Sequence, residues 1–142
     1  MNEQREWKVG DTTVRFEPPD LVWVHTRGKA TFEDAPRLVD IYRELGQRHP
    51  LLIVADLSQA TTLDLEGGRY ISEHVRPEWI QGCIYIGARL LHRAISKGIA
   101  LAVHLAGRAD ESALTKVHFV SNEMEARALI ARLQSKRLGK AA

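Results

Sequence analysis

The chain has 142 residues, of which 44% are hydrophobic and 27% are charged. This composition is ordinary for a globular domain and excludes a disordered chain. The 20 Lys and Arg residues exceed the 18 Asp and Glu residues by a net charge of +2. Because nucleic-acid binding needs basic residues clustered on one face, so small an excess predicts no nucleic-acid partner.

The cysteine content and the apolar runs favour the cytoplasm. Cys83 is the only cysteine, so the fold does not need an oxidising compartment. The longest apolar run, Ile99–Val103, is too short to span a bilayer, and the charged N-terminus lacks the apolar stretch of a secretory signal. We therefore expect a cytoplasmic protein with no membrane span. One domain is predicted over residues 7–135, with polar tails at 1–6 and 136–142.

A hairpin and a helix open the predicted domain. Thr13–Phe16 alternates polar and apolar residues, which is typical of a strand with one solvent-exposed face. A second strand, Leu21–Val24, follows after a turn with two prolines. A helix is predicted over Phe32–Gln47, with Thr31 as its N-cap and Asp34 completing a capping box. Its apolar face comprises Phe32, Ala35, Leu38, Val39, Tyr42 and Leu45.

Two near-continuous apolar runs, Leu51–Ala55 and Cys83–Ile86, predict central strands that are covered on both faces. Between them Asp64 is predicted to cap a second helix. A long helix is expected over 88–106, and Lys116–Phe119 reads as the last strand. Ser121 or Asn122 then caps a final helix, whose apolar face comprises Ala126, Leu129, Ile130 and Leu133.

The predicted order of elements is β-β-α-β-α-β-α-β-α. Strands that alternate with helices form βαβ crossovers, in which the strands run parallel. We therefore expect an α/β fold with a mostly parallel sheet and an N-terminal antiparallel hairpin.

This order resembles the STAS domains of anti-sigma-factor antagonists, and one segment strengthens the likeness. Bacterial STAS domains commonly have a strand ending in Asp-Leu-Ser, then a short loop, then Asp-Ser-Ser-Gly at the start of a helix. Here the strand ends in Asp56–Ser58, and the helix begins with Asp64–Gly67. The C-terminal half is similar to the divergent SpoIIAA-like branch, whose last strand ends in a Phe, here Phe119, before a final helix.

The resemblance implies a regulatory protein-binding module rather than an enzyme. Its partner-binding loop would comprise Asp56, Ser58, Asp64, Leu65, Glu66 and Gly67. In phosphorylatable members the first Ser of the motif accepts phosphate, but Leu65 and Glu66 stand in place of the two serines, so no phosphorylation switch is expected. A purely structural interpretation is also open, because helix N-termini favour Asp and Glu whatever the function.

No catalytic, cofactor or metal site is predicted. Asp56 follows a strand as a receiver-domain phosphoacceptor does, but the acidic pair and the Lys of that site are missing, so a turn-forming role is favoured. No two of the six histidines lie within ten positions of each other, which excludes a helical i, i+4 metal pair. Cys83 is expected to be an inert core residue.

The predicted helix over 88–106 has three interpretations. Ala94, Gly98 and Ala102 form a row of small residues, and Ile99 and Leu105 extend its apolar surface. The helix could be buried, form a homodimer contact, or line an apolar ligand pocket. The last interpretation gives the alternative function, a small apolar-ligand or lipid carrier similar to the CRAL-TRIO domains.

Overall fold

The structure is a computed structural model that describes residues 5–87 and 117–141. A six-stranded sheet has the spatial order β1-β2-β3-β5-β7-β8. Its strands are β1 Arg5–Val9, β2 Thr12–Glu17, β3 Leu21–Thr26, β5 Leu51–Asp56, β7 Ile80–Ile86 and β8 Val117–Val120. Two short strands, β4 Lys29–Ala30 and β6 Thr62–Leu63, pair with each other apart from this sheet.

Three α-helices are described: α1 Ala35–Gly46, α2 Leu65–His74 and α3 Glu123–Ala141. Short 3-10 turns, Phe32–Asp34 and Pro77–Trp79, precede α1 and β7. None of the described helices is both long and apolar enough to cross a membrane.

The strand directions confirm a mixed α/β fold with an antiparallel N-terminal hairpin. Strands β1, β2 and β3 pair antiparallel, whereas β3, β5, β7 and β8 pair parallel. Both β5 and β7 have a strand on each side, as the apolar runs Leu51–Ala55 and Cys83–Ile86 predict for central strands.

Both ends of the described chain are more regular than the sequence predicts. Strand β1 begins at Arg5, within the predicted tail 1–6, and α3 continues to Ala141, through most of the tail 136–142. A two-residue turn with Gly10 at a φ of 60° joins β1 to β2, a conformation that glycine adopts without strain. Only Val9 is buried in β1, so its apolar pattern is weak.

The long helix predicted over 88–106 lies outside the described residues. The same holds for its five proposed surface residues: Ala94, Gly98, Ile99, Ala102 and Leu105.

Two apolar cores lie on opposite faces of the sheet. On one face, α1 packs through Leu38, Ile41, Tyr42 and Leu45 against alternate residues of β2, β3, β5 and β7. On the other face, α3 packs through Ala126 and Ile130 against Leu21, Trp23, Leu52, Val54, Ile84 and Ile86. Since successive strand residues point to opposite faces, each central strand contributes to both cores.

The cap predicted for α3 is confirmed. The Oδ1 atom of Asn122 accepts a hydrogen bond from the Glu125 backbone N–H at 2.9 Å. The Glu125 carboxylate in turn accepts one from the Ser121 N–H at 2.7 Å. The Asn122 side chain thus satisfies one N–H of the first turn, and the Glu125 side chain satisfies the N–H of the residue before the cap.

The cap predicted for the first helix is wrong. The Thr31 side chain binds no backbone N–H; its hydroxyl donates to the Asp34 carboxylate at 2.8 Å. Phe32, counted among the apolar residues of this helix, is 44% exposed and lies outside both cores. Its backbone N–H donates instead to Asp64, which lies far along the chain.

The docking of α3 predicts the cost of truncating its buried face. Ile130→Ala should lower the free energy of unfolding by about 2–4 kcal/mol, because it removes buried methyl groups and leaves a cavity. Met124→Ala is the control in the same helix, since Met124 is 82% exposed and its loss should change stability by less than about 0.5 kcal/mol. Denaturant unfolding of both variants measures the difference, and equal effects would show that α3 is not docked by this face.

Candidate functional site in the Asp56–Gly67 loop

The carboxyl ends of the parallel strands meet beside the predicted partner-binding loop. In the sheet register, Asp56 at the end of β5 lies between His25 of β3 and Ile86 of β7. The chain that follows Asp56 therefore leaves the sheet at the edge where α/β folds place their binding sites. This position makes the segment Asp56–Gly67, called the site loop below, the candidate functional site.

Asp56 organises the first turn of the site loop. Its Oδ1 atom accepts hydrogen bonds from the Ser58 backbone N–H at 3.0 Å and from the Ser58 hydroxyl at 2.6 Å. The turn-forming role predicted for Asp56 is thereby confirmed.

His25 and Gln59 extend this polar cluster, and neither is among the site residues predicted from the sequence. The Nε2 atom of His25 lies 3.1 Å from the Gln59 Oε1 and 3.9 Å from the Asp56 Oδ2. The hydroxyl of Ser58 is thus bonded to Asp56, while the His25 ring is within hydrogen-bond distance of Gln59. The register of β3 with β5 places His25 opposite Asp56, so a correctly predicted strand pairing would have identified it.

Main-chain hydrogen bonds hold the middle of the site loop. The Leu57 N–H donates to the Ile86 carbonyl at 2.9 Å, and the Thr61 N–H donates to the Gly28 carbonyl at 2.7 Å. Beyond Thr61, β6 pairs with β4 in parallel. Since these contacts involve backbone atoms, they fix the path of the loop without using its side chains.

A glycine after β7 makes room for the loop. Gly87 has a φ of 61°, and a Cβ atom built there would lie 2.8 Å from the Ser58 Cβ. A side chain at this position would therefore strain the backbone and collide with the loop.

Asp64 links the site loop to the start of the 3-10 turn Phe32–Asp34, which precedes α1. Its Oδ1 accepts from the Glu66 N–H at 2.9 Å, which confirms it as the N-cap of α2. Its Oδ2 accepts from the Phe32 N–H at 3.0 Å. One carboxylate thus satisfies unpaired donors at two helix starts.

The remaining predicted site residues lie in the first turn of α2. Gly67 is buried, and a Cβ there would lie 3.1 Å from the Thr31 carbonyl oxygen, so this glycine permits close packing and presents nothing to a partner. The side chain of Glu66 is 65% exposed and 3.4 Å from the Arg69 guanidinium. Leu65 is the first residue of α2.

Aromatic side chains adjoin the site loop, a feature that the sequence analysis also missed. The half-exposed Phe32 ring meets Tyr70 edge-on, with centroids 5.8 Å apart, and Tyr70 stacks on His74 at 3.9 Å. The spacing of Tyr70 and His74 by one helical turn could have shown that they share a face.

The described residues contain no group of three or more His, Cys, Asp or Glu side chains that could hold a metal ion. Cys83 is buried in the core, and burial raises the pKa of its thiol to about 12. The thiol is therefore protonated at neutral pH and is a poor nucleophile, as expected for a core residue.

Comparison with known proteins adds no family assignment. No protein-family model matches the chain, and no curated protein shows significant similarity to it. The resemblance to STAS domains therefore stays a prediction, which was made from the order of elements and the residues of the site loop.

The double role of Asp64 predicts a measurable cost of removing it. Asp64→Ala should lower the free energy of unfolding by about 1–2 kcal/mol, the usual cost of losing an N-cap. The Glu66 and Phe32 amide protons should exchange faster, because both lose their acceptor. Asp64→Asn keeps one acceptor oxygen and should cost less.

Asp40→Ala on α1 is the control, because Asp40 is highly exposed and bonded only to Arg43 of its own helix. It should change stability by no more than about 0.5 kcal/mol. Unaltered exchange at both amides in Asp64→Ala would contradict the bridging role.

Proposed function

We propose that this chain is a non-enzymatic regulatory module of the SpoIIAA/STAS-like type, which binds a protein partner through its site loop without a phosphorylation switch. The observation that carries the proposal is the hydrogen-bonded docking of a partly exposed loop at the carboxyl edge of the parallel strands. Pre-organisation lowers the entropic cost of binding, because the loop is already ordered before the partner arrives.

The chemistry presented by the loop suits a protein partner. Ser58, Asp64 and Glu66 are exposed. The half-exposed Phe32 and the partly buried Tyr70 lie beside them. Aromatic side chains surrounded by polar groups are typical of protein interfaces.

The state of the polar side chains supports binding rather than catalysis. The Ser58 hydroxyl donates to Asp56, and His25 faces Gln59. A nucleophilic serine commonly has a histidine as its base, whereas the hydroxyl of Ser58 is bonded to a carboxylate.

The start of α2 supports constitutive binding. The Asp64 carboxylate already accepts the Glu66 N–H, and Glu66 adds a second negative charge in the first turn. A phosphate gains most where helix N–H groups are free and no negative charge is present. In this chain the Glu66 N–H is already bonded and a negative charge is already present in the first turn. In addition, Leu65 has no hydroxyl to modify.

The described part of the molecule does not favour the alternative function of an apolar-ligand or lipid carrier. A groove of about 340 Å³ lies between α3 and the turn after β2, but Glu17, Arg127 and Gln134 line it together with apolar residues. The helix that would line an apolar pocket, over 88–106, lies outside the described residues.

Charge reversal on the loop should weaken partner binding selectively. Partners that co-purify from the native host would be produced separately and titrated against the protein. Glu66→Arg should raise the Kd at least about tenfold, the effect of losing about 1.4 kcal/mol of interface energy.

Glu123→Arg is a closely matched control. Glu123 also lies in the first turn of a helix, is 62% exposed and pairs with an Arg of its own helix. It should leave the Kd unchanged. Equal affinities of the wild type and Glu66→Arg, or equal weakening by both variants, would contradict binding at the site loop.

The absence of a switch is tested on protein purified from the native host. Intact-mass and peptide mass spectrometry should find no phosphate over Ser58–Thr62, and treatment with a phosphatase should leave the Kd for the partner unchanged. Stoichiometric phosphate on any of these hydroxyls would contradict constitutive binding.

A further inference from the structure

Strand β1 offers an edge at which another strand can pair. Among the described strands it has a neighbour on one side only, which is β2. Edge strands carry unpaired N–H and C=O groups that can bind a further strand. Its sequence is Arg5, Glu6, Trp7, Lys8 and Val9.

The hairpin register shows which backbone groups face the free edge. Val9 and Thr12 close a two-residue turn, so they form a hydrogen-bonded pair, as such turns require. Bonded and non-bonded pairs alternate along an antiparallel ladder. Trp7 therefore bonds toward β2, whereas the N–H and C=O groups of Glu6 and Lys8 point outward.

The outward groups and their side chains fit a second copy of the same strand. In a two-fold antiparallel pairing centred on Trp7, Glu6 lies opposite Lys8 of the other copy, and this contact occurs twice. Centring the pairing on Glu6 or on Lys8 would instead place like charges opposite each other, which is destabilising. Charge thus selects a single register.

Neighbouring residues support the same register. Within the sheet, Glu6 lies opposite Arg15 of β2, so in the pair its carboxylate would lie between two cations. On the opposite face the two half-buried Trp7 side chains would meet at the symmetry axis. Aromatic pairs directly across antiparallel strands are favourable.

We propose that two copies of this chain associate through their β1 edges, with the symmetry axis at Trp7, which joins the two described sheets into one. This interface does not depend on the proposed function of the site loop. It needs one local adjustment: the Lys8 carbonyl now accepts from the exposed Arg37 guanidinium at 3.3 Å. The Glu6 N–H of the second copy would replace this weak bond.

Sedimentation equilibrium from micromolar to millimolar concentration tests the interface. The wild type should dimerise reversibly, and Glu6→Lys and Lys8→Glu should each raise the dissociation constant at least about tenfold, because each places like charges opposite each other twice. The double variant restores unlike pairs and should return to within about threefold of the wild type. Both substituted positions are exposed, so none of the three variants should fail to fold.

Mixing the two single variants provides the decisive measurement. A strand with Lys at positions 6 and 8 is complementary to one with Glu at both, so the mixture should form a heterodimer more tightly than either variant alone. Glu123→Lys, the same charge change at an exposed position of α3, should leave the wild-type dissociation constant unaltered. A wild type that stays monomeric throughout, a dimer indifferent to both single variants, or a mixture that does not associate would each overturn the proposal.

Discussion

The burial of β5 on both faces and along both edges is the constraint on which the described fold depends. Leu51 and Val54 are fully buried and point to opposite cores. Both faces of β5 are excluded from water, because helices cover both sides of the sheet, as is typical where the neighbouring strands run parallel. The carboxyl ends of β3, β5 and β7 therefore lie together, and the chain leaving β5 must cross them. The position of the site loop follows from this one strand.

The sequence predicted the elements whose apolar periodicity is strong and missed those held by pairing alone. Strands β5 and β7 contain the apolar runs Leu51–Ala55 and Cys83–Ile86. Ala126 and Ile130 mark the buried face of α3, so local patterns suffice for these elements. Strand β1 has one buried residue, and its signal is the turn at Gly10 rather than its own composition. Strands β4 and β6 have two residues each, which is too short for any periodicity.

The candidate site was predictable where its contacts are local. Asp56 bonds to Ser58 and Asp64 bonds to Glu66, both two residues away, and the known preferences of Asp at turns and caps give these contacts directly. The contacts of His25 with Gln59, and of Asp64 with Phe32, join residues more than thirty positions apart. Only the sheet register brings them together. The wrong cap at Thr31 has a local cause instead, because its hydroxyl donates to the Asp34 carboxylate and does not accept from a backbone N–H.

The way the site loop is anchored bears on how such a module could diversify. Backbone bonds, a two-strand ladder and the carboxylates of Asp56 and Asp64 hold the loop in place, and two glycines leave room for it. Gln59 and Glu66 project from it while contributing little to its anchoring. A lineage could therefore exchange these outward side chains and acquire a new recognition specificity while the scaffold beneath them stayed unchanged. The residues that would resist exchange are the ones a partner never touches, such as Gly67 and Gly87.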